Sequence, residues 1–145
     1  MFIGARTHDY GKHTIESLPV LLQHEGFDAA QLVLPKAFTA IESYADISID
    51  VLESIKQHFA KAGIKIHILG CYMDLANPDK AVRKAAVDTF KACLSYAKTL
   101  GATIVGTETA YPRLSAQEKQ LWQPYMMESL TELVAEAEAI GQDMA

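Results

Sequence analysis

The sequence predicts an α/β fold of repeated strand–helix units, and three observations carry that prediction. A helical pattern stopped by a glycine occurs at Gly26, Gly63 and Gly101, each leading into a short apolar run, and again at Gly141, which precedes QDMA. The first three are spaced at nearly constant intervals, long enough for a strand, a loop and a helix of several turns. The stretches before them repeat apolar residues at helical steps, and the runs after them have strand length and apolar character on both faces, as parallel strands do.

In chain order, Phe2 to Arg6 is the first expected strand. A helix through Leu18, Leu21 and Leu22 follows, with Pro19 near its beginning and Gly26 as its stop. Ala29 to Leu34 is the second strand, ended by Pro35. Ser48 is placed to cap a helix that buries Val51, Leu52, Ile55, Phe59 and Ala62, and the third strand spans Ile64 to Leu69.

The most regular unit runs from Asn77 to Thr109. Asn77 reads as an N-cap and Pro78 as the first helical residue. Val82, Ala86, Phe90, Cys93, Ala97 and Leu100 form one apolar face, with Lys80, Arg83, Lys84, Asp88 and Lys91 largely off it. Gly101 stops the helix, and Ala102 to Val105 leads the fourth strand. Ser115 and Glu118 then have capping-box spacing ahead of a helix through Leu130, Leu133, Val134, Ala137 and Ile140, which Pro124 is expected to kink or split. Four units therefore end where a fifth strand should begin.

The 145 residues, half of them hydrophobic, suit one domain over 1–145. Net charge is −5 with no run of like charge, which gives no electrostatic reason to bind nucleic acid. No segment has the apolar length of a membrane span and the N-terminus lacks a cleavage-like signal, so no membrane association and a cytoplasmic location are expected. Cys71 and Cys93 lack metal or redox spacing and read as small buried hydrophobes.

The segments RTHDYGK at the end of strand one, GCYMDLANPD after strand three and LGATIVGTETA at strand four resemble the xylose-isomerase-like TIM barrels, a family of sugar isomerases and epimerases. The matching positions are His8, Asp9, Gly11 and Lys12; Gly70, Cys71, Tyr72, Leu75, Pro78 and Asp79; and Val105 to Thr109. Ala110 departs from the family's glycine. The resemblance implies a (βα)4 half of a TIM barrel, with parallel strands in the order 1-2-3-4 and helices on the outer face only. It also implies that the divalent-metal ligands and the acid/base glutamate pair come mostly from strands five to eight. No metal ligands are assigned in this chain, and a divalent metal is expected only for a complete barrel.

In such barrels function collects at the C-terminal ends of the strands. That rule selects Arg6, His8, Gln31, Tyr72 and Glu108 as substrate-binding residues, with Glu108 also the candidate for proton transfer. Each has a plainer role. Glu108 also suits a solvated strand end or a partner for Arg6. His8 and Asp9 suit mutual orientation, metal ligation or a simple turn, and Arg6 either a phosphate clamp or a structural ion pair. Tyr72 suits a pocket wall or packing. His67, mid-strand, is expected to pack against a helix.

The expected function is that of a sugar or sugar-phosphate isomerase or epimerase moving a proton next to a carbonyl, incomplete in the isolated chain. The alternative is a non-catalytic truncated paralogue or fragment that associates through its open barrel face. An abasic-site endonuclease on the same barrel is disfavoured by the acidic balance and the lack of a clear histidine set. A flavodoxin-like or receiver domain of this length would need a fifth strand, and also a phosphate loop or an acidic cluster after strand one, neither of which is visible. A half-barrel with an apolar inner face would be covered by association, so a homo-oligomer is expected.

Overall fold

The computed structural model describes residues 3–45, 47–108 and 114–145. Phe2, Thr109 and Ala110, which carried expectations above, lie outside the described residues. Five parallel strands form one sheet in the order β1-β2-β3-β4-β5: Gly4–Arg6, Ala29–Leu32, Lys65–Gly70, Ile104–Gly106 and Asp143–Met144. The expected order of the first four holds, and the run after Gly141 adds a short fifth beside β4. The helices are α1 (Ser17–His24), α2 (Leu34–Ala37), α3 (Ile49–Lys61), α4 (Lys80–Leu100) and α5 (Ala116–Ile140).

Register separates the two faces of the sheet. Ala5, Ala30 and Ile66 form one buried row, and Leu32, Leu69 and Val105 another. These rows share a core with Leu18 and Leu22 of α1, Ile55 and Phe59 of α3, and Phe90 and Leu94 of α4. The opposite rows are Gly4, Ala29 and Lys65, then Arg6, Gln31, Ile68, Ile104 and Asp143. This inner face is mixed, with Arg6, Gln31, Lys65 and Asp143 set among Gly4, Ala29, Ile68 and Ile104, so it is less uniformly apolar than expected. A hollow of about 360 Å³ lies over it, bordered by Arg6, Gln31, Lys65 and His67.

His67 is a second correction. The register of β2 and β3 shifts by one residue between Ala30 and Gln31, so His67 is left opposite no partner. Its ring lines the hollow and shares a hydrogen bond with Thr103 Oγ1 at 3.1 Å, and it does not pack against a helix.

Helix starts follow side-chain chemistry. Ser48 Oγ accepts from Val51 N at 3.3 Å, and Ser115 with Glu118 closes the expected capping box. At α4 the cap moves two residues on from Asn77. Asp79 Oδ1 accepts from Ala81 N and Val82 N at 2.8 and 3.2 Å, while Asn77 Oδ1 takes Asp79 N at 2.9 Å and so organises the preceding turn. Within this helix Val82 is turned outward, 47% exposed, while Arg83 is only 8% exposed.

Arg83 is held where the periodicity placed a solvated charge. Its Nη1 donates to Asn77 O at 2.7 Å and its Nη2 to Glu128 Oε2 at 2.9 Å, and the guanidinium lies 4.7 Å from the centre of the Tyr125 ring. Helix α5 runs unbroken through Pro124, buries Leu133 and Ala137, and leaves Val134 exposed. The second strand stops at Leu32, short of the expected Leu34, and Pro35 does not end it: Pro35 sits in the first turn of the short helix α2.

Candidate functional site

The chain leaves β1 into a single 3-10 turn, Thr7–Asp9. Thr7 is fully buried, and its Oγ1 donates to Gln31 O at 3.1 Å, fixing the turn to the end of β2. One residue on, His8 is carried over the strand ends with its side chain only 12% exposed. Arg6 Nη2 donates to His8 Nε2 at 2.6 Å and Arg6 Nε to the same atom at 3.2 Å. A guanidinium has no acceptor, so His8 Nε2 contributes its lone pair and the neutral ring carries its proton on Nδ1. Burial, and then the Arg6 charge, hold His8 below the ordinary imidazole range, which agrees with that neutral form. Asp9 Oδ2 lies 3.7 Å from Arg6 Nε on the other side.

Tyr72 stands next to this pair. Its ring meets His8 edge-on at 6.5 Å, and its oxygen accepts a hydrogen bond from Gln31 Nε2. Burial, and then the negative field of Glu108, raise the Tyr72 phenol, so the proton stays on and remains available to an acceptor. Glu108 itself is exposed just beyond β4, and its charge reaches both His8 and Tyr72. All five residues selected by the strand-end rule thus gather at one end of the sheet.

Lys36 was not anticipated. Its Nζ lies 5.6 Å from the centre of the Tyr72 ring, and its charge is felt at His8. It stands in α2, just past the end of β2, a helix that the sequence pattern did not reveal.

Tyr72 approaches the backbone closely at Gly70. A Cβ added there would lie 2.9 Å from Val33 Cγ2 and 3.1 Å from the Tyr72 oxygen. Gly70 O accepts from Tyr44 OH, and Tyr44 O in turn accepts from Tyr96 OH at 3.1 Å. The wall of the site is therefore anchored in α4.

His8 Nδ1, Asp74 Oδ1 and Thr107 Oγ1 are buried with no hydrogen-bond partner among the described residues. Two of them, His8 and Thr107, belong to the strand-end rim. No three His, Cys, Asp or Glu side chains among the described residues come together as a metal site, and the Nε2 lone pair of His8 is occupied by Arg6. The described residues therefore do not fit a divalent ion on their own.

A run of parallel βα units with polar side chains collected over the C-terminal strand ends defines a TIM-barrel-type protein. The family model described as xylose isomerase-like TIM barrel matches residues 20–145, and the chain belongs to that family. No curated protein sequence matches it. Among solved structures, it is similar to a D-tagatose 3-epimerase-like protein, with TM-score 0.76 and 18% identity over all of this chain and 52% of that one. It is also similar to the D-psicose 3-epimerase of Clostridium cellulolyticum H10 solved with D-tagatose, with TM-score 0.74, 19% identity, and coverage of 99% and 51%. The IolI protein solved with a zinc atom gives TM-score 0.70, 21% identity, and coverage of 100% and 50%. The chain spans about half the length of these structures, and its sheet with attached helices corresponds to a partial barrel.

Proposed function

We propose that this chain builds the substrate-positioning half of a sugar isomerase or epimerase site. The observation that carries the reading is the linked set Arg6, His8, Tyr72 and Gln31 across the ends of β1, β2 and β3. Arg6 retains donors beyond those given to His8, and Tyr72 retains its hydroxyl proton, so both can hold the oxygens of a hydroxylated substrate. Gln31 fixes the phenol, and Arg6 fixes the imidazole.

Glu108 is the carboxylate placed to exchange a proton at the carbon next to a substrate carbonyl. The D-psicose 3-epimerase and the D-tagatose 3-epimerase-like protein among the similar structures support this class of chemistry. A divalent ion would need ligands from the rest of the barrel. The unpaired His8 Nδ1 and Thr107 Oγ1 support completion by further groups, since each such buried atom costs about 1–3 kcal/mol unpaired. A complementary half-barrel would also cover the inner face. A second copy of this chain is the first source to test, and sedimentation equilibrium decides it: a dimer supports self-association and a monomer refutes it.

The site itself is tested by titrating the chain with D-fructose and following the NMR signals of His8, Gln31 and Tyr72. Saturable shifts are expected at all three, weakened at least severalfold by Arg6→Met. Shifts absent from the three, with the fold intact, would refute a sugar site and leave the non-catalytic reading. In a completed barrel, Glu108→Gln is expected to lower kcat by roughly 10²–10⁴.

A further inference from the structure

Tyr72 has two sides. One faces His8 and Gln31, and the other lines a separate cleft of about 390 Å³ between α2, the loop before α3 and the end of β3. The walls of this cleft are largely apolar, from Val33, Pro35, Tyr44 and Met73. Thr89 lies at its edge, but its hydroxyl is already committed to Ala85 O at 2.8 Å. One cation, Lys36, and one anion, Glu42, also line it, so the cleft offers no net charge to a phosphate or carboxylate.

The walls are built in advance. Tyr44 is held through its hydroxyl by Gly70 O and through its carbonyl by Tyr96, and Tyr72 is held by Gln31 and by the close approach at Gly70. A preformed, mostly apolar hollow of this size is typical of a small-molecule site. An apolar cavity of about 150 Å³ suffices for a benzene ring, so this cleft has room for a ring with substituents.

We propose that the cleft is a second subsite, adjoining the sugar site across their shared residue Tyr72, which receives a neutral apolar group attached to the sugar. The preferred substrates are then glycosides with an apolar aglycone rather than free monosaccharides. This rests on the sugar-site reading above, because Tyr72 is what joins the two.

The test compares phenyl β-D-glucopyranoside with methyl β-D-glucopyranoside on the full chain, by NMR titration read at His8 and Gln31 for the mouth and at Met73 and Thr89 for the cleft. The phenyl glycoside should bind on the order of tenfold or more tightly and shift both groups of signals. Ala45→Trp and, independently, Thr89→Trp place a large ring in the cleft without touching the mouth. Either should bring the phenyl affinity down to that of the methyl glycoside, which should itself change little. Equal affinity of both glycosides for the unaltered chain, with the mouth signals shifting, would overturn the second subsite alone. So would a phenyl preference that survives both variants. No shift at His8 or Gln31 with either glycoside would overturn the sugar-site reading and this inference with it.

Discussion

Gly70→Ala tests whether the candidate site is held by close packing. Gly70 does not need positive φ, so the effect of a methyl group there is steric. The added Cβ would stand 2.9 Å from Val33 Cγ2, and real Cβ atoms essentially never approach below 3.0 Å. Val33 is β-branched and almost fully buried, so it has little room to give. Moving Gly70 instead would strain the bond from Tyr44 OH, and the other near atom is the Tyr72 oxygen at 3.1 Å. Overpacking of this kind costs about 1–3 kcal/mol. A value near ~2 kcal/mol lowers the folding constant by roughly 30-fold, and urea denaturation reads it as a lower midpoint at unchanged slope. Because Tyr72 is the softer neighbour, the Gln31 side-chain amide should lose its bonded NMR position in the folded variant. Stability within about 0.5 kcal/mol of the parent, together with an unmoved Gln31 amide, would refute the packing argument.

Three further outcomes follow from buried groups. Arg83→Met should cost roughly 2–4 kcal/mol by chemical denaturation, since it removes two charge-assisted hydrogen bonds and the contact with Tyr125; Glu128→Gln should cost under about 1 kcal/mol, because that carboxylate is 63% exposed. Cys71 and Cys93 are fully buried, and the hydrogen bond to Cys71, then burial, raise the Cys93 thiol far above its ordinary range. Both should react with a thiol reagent only as fast as the protein opens, and rapid labelling of the native chain would contradict this. His8 is held below its ordinary value of 6.5 in the folded chain, so the unfolded chain binds its proton first. Its contribution to stability is therefore present above about pH 6.5 and falls as the pH drops from there through the folded value; His8→Gln should flatten that part of the stability curve.

What the sequence made legible was local chemistry with a fixed geometric outcome. Gly101 and Gly141 adopt left-handed conformations with φ of 72° and 63°, where their places after long helices predicted them. The Ser115 and Glu118 box formed for the same reason. Tertiary context decided the rest. Arg83 followed a solvent-facing pattern and became buried because Asn77 O, Glu128 and Tyr125 converge on it from elsewhere in the chain. His67 lies two residues from Lys65 and so shares its inner face, opposite buried Ile66; mid-strand position alone does not tell which face a helix covers. Lys36 is hidden in the sequence because a proline after an apolar run suits a strand end and the first turn of a helix equally well.

The site was more legible than its surroundings because a strand end fixes a side chain's position almost regardless of what packs behind it. Arg6 and Gln31 are paired in register on adjacent strands, so both project from the same face at the same height. Their working contacts lie within this half of the barrel: Arg6 binds His8 two residues on, and Gln31 binds Tyr72 across the neighbouring strand. Tyr72 is in turn fixed at Gly70, whose carbonyl leads through Tyr44 to Tyr96 of α4. None of these links draws on a group beyond the described residues. These links are therefore organised within this chain alone, and on the proposed reading a complementary half would add partners for the unpaired His8 and Thr107 atoms together with the remaining proton-transfer and metal-binding groups.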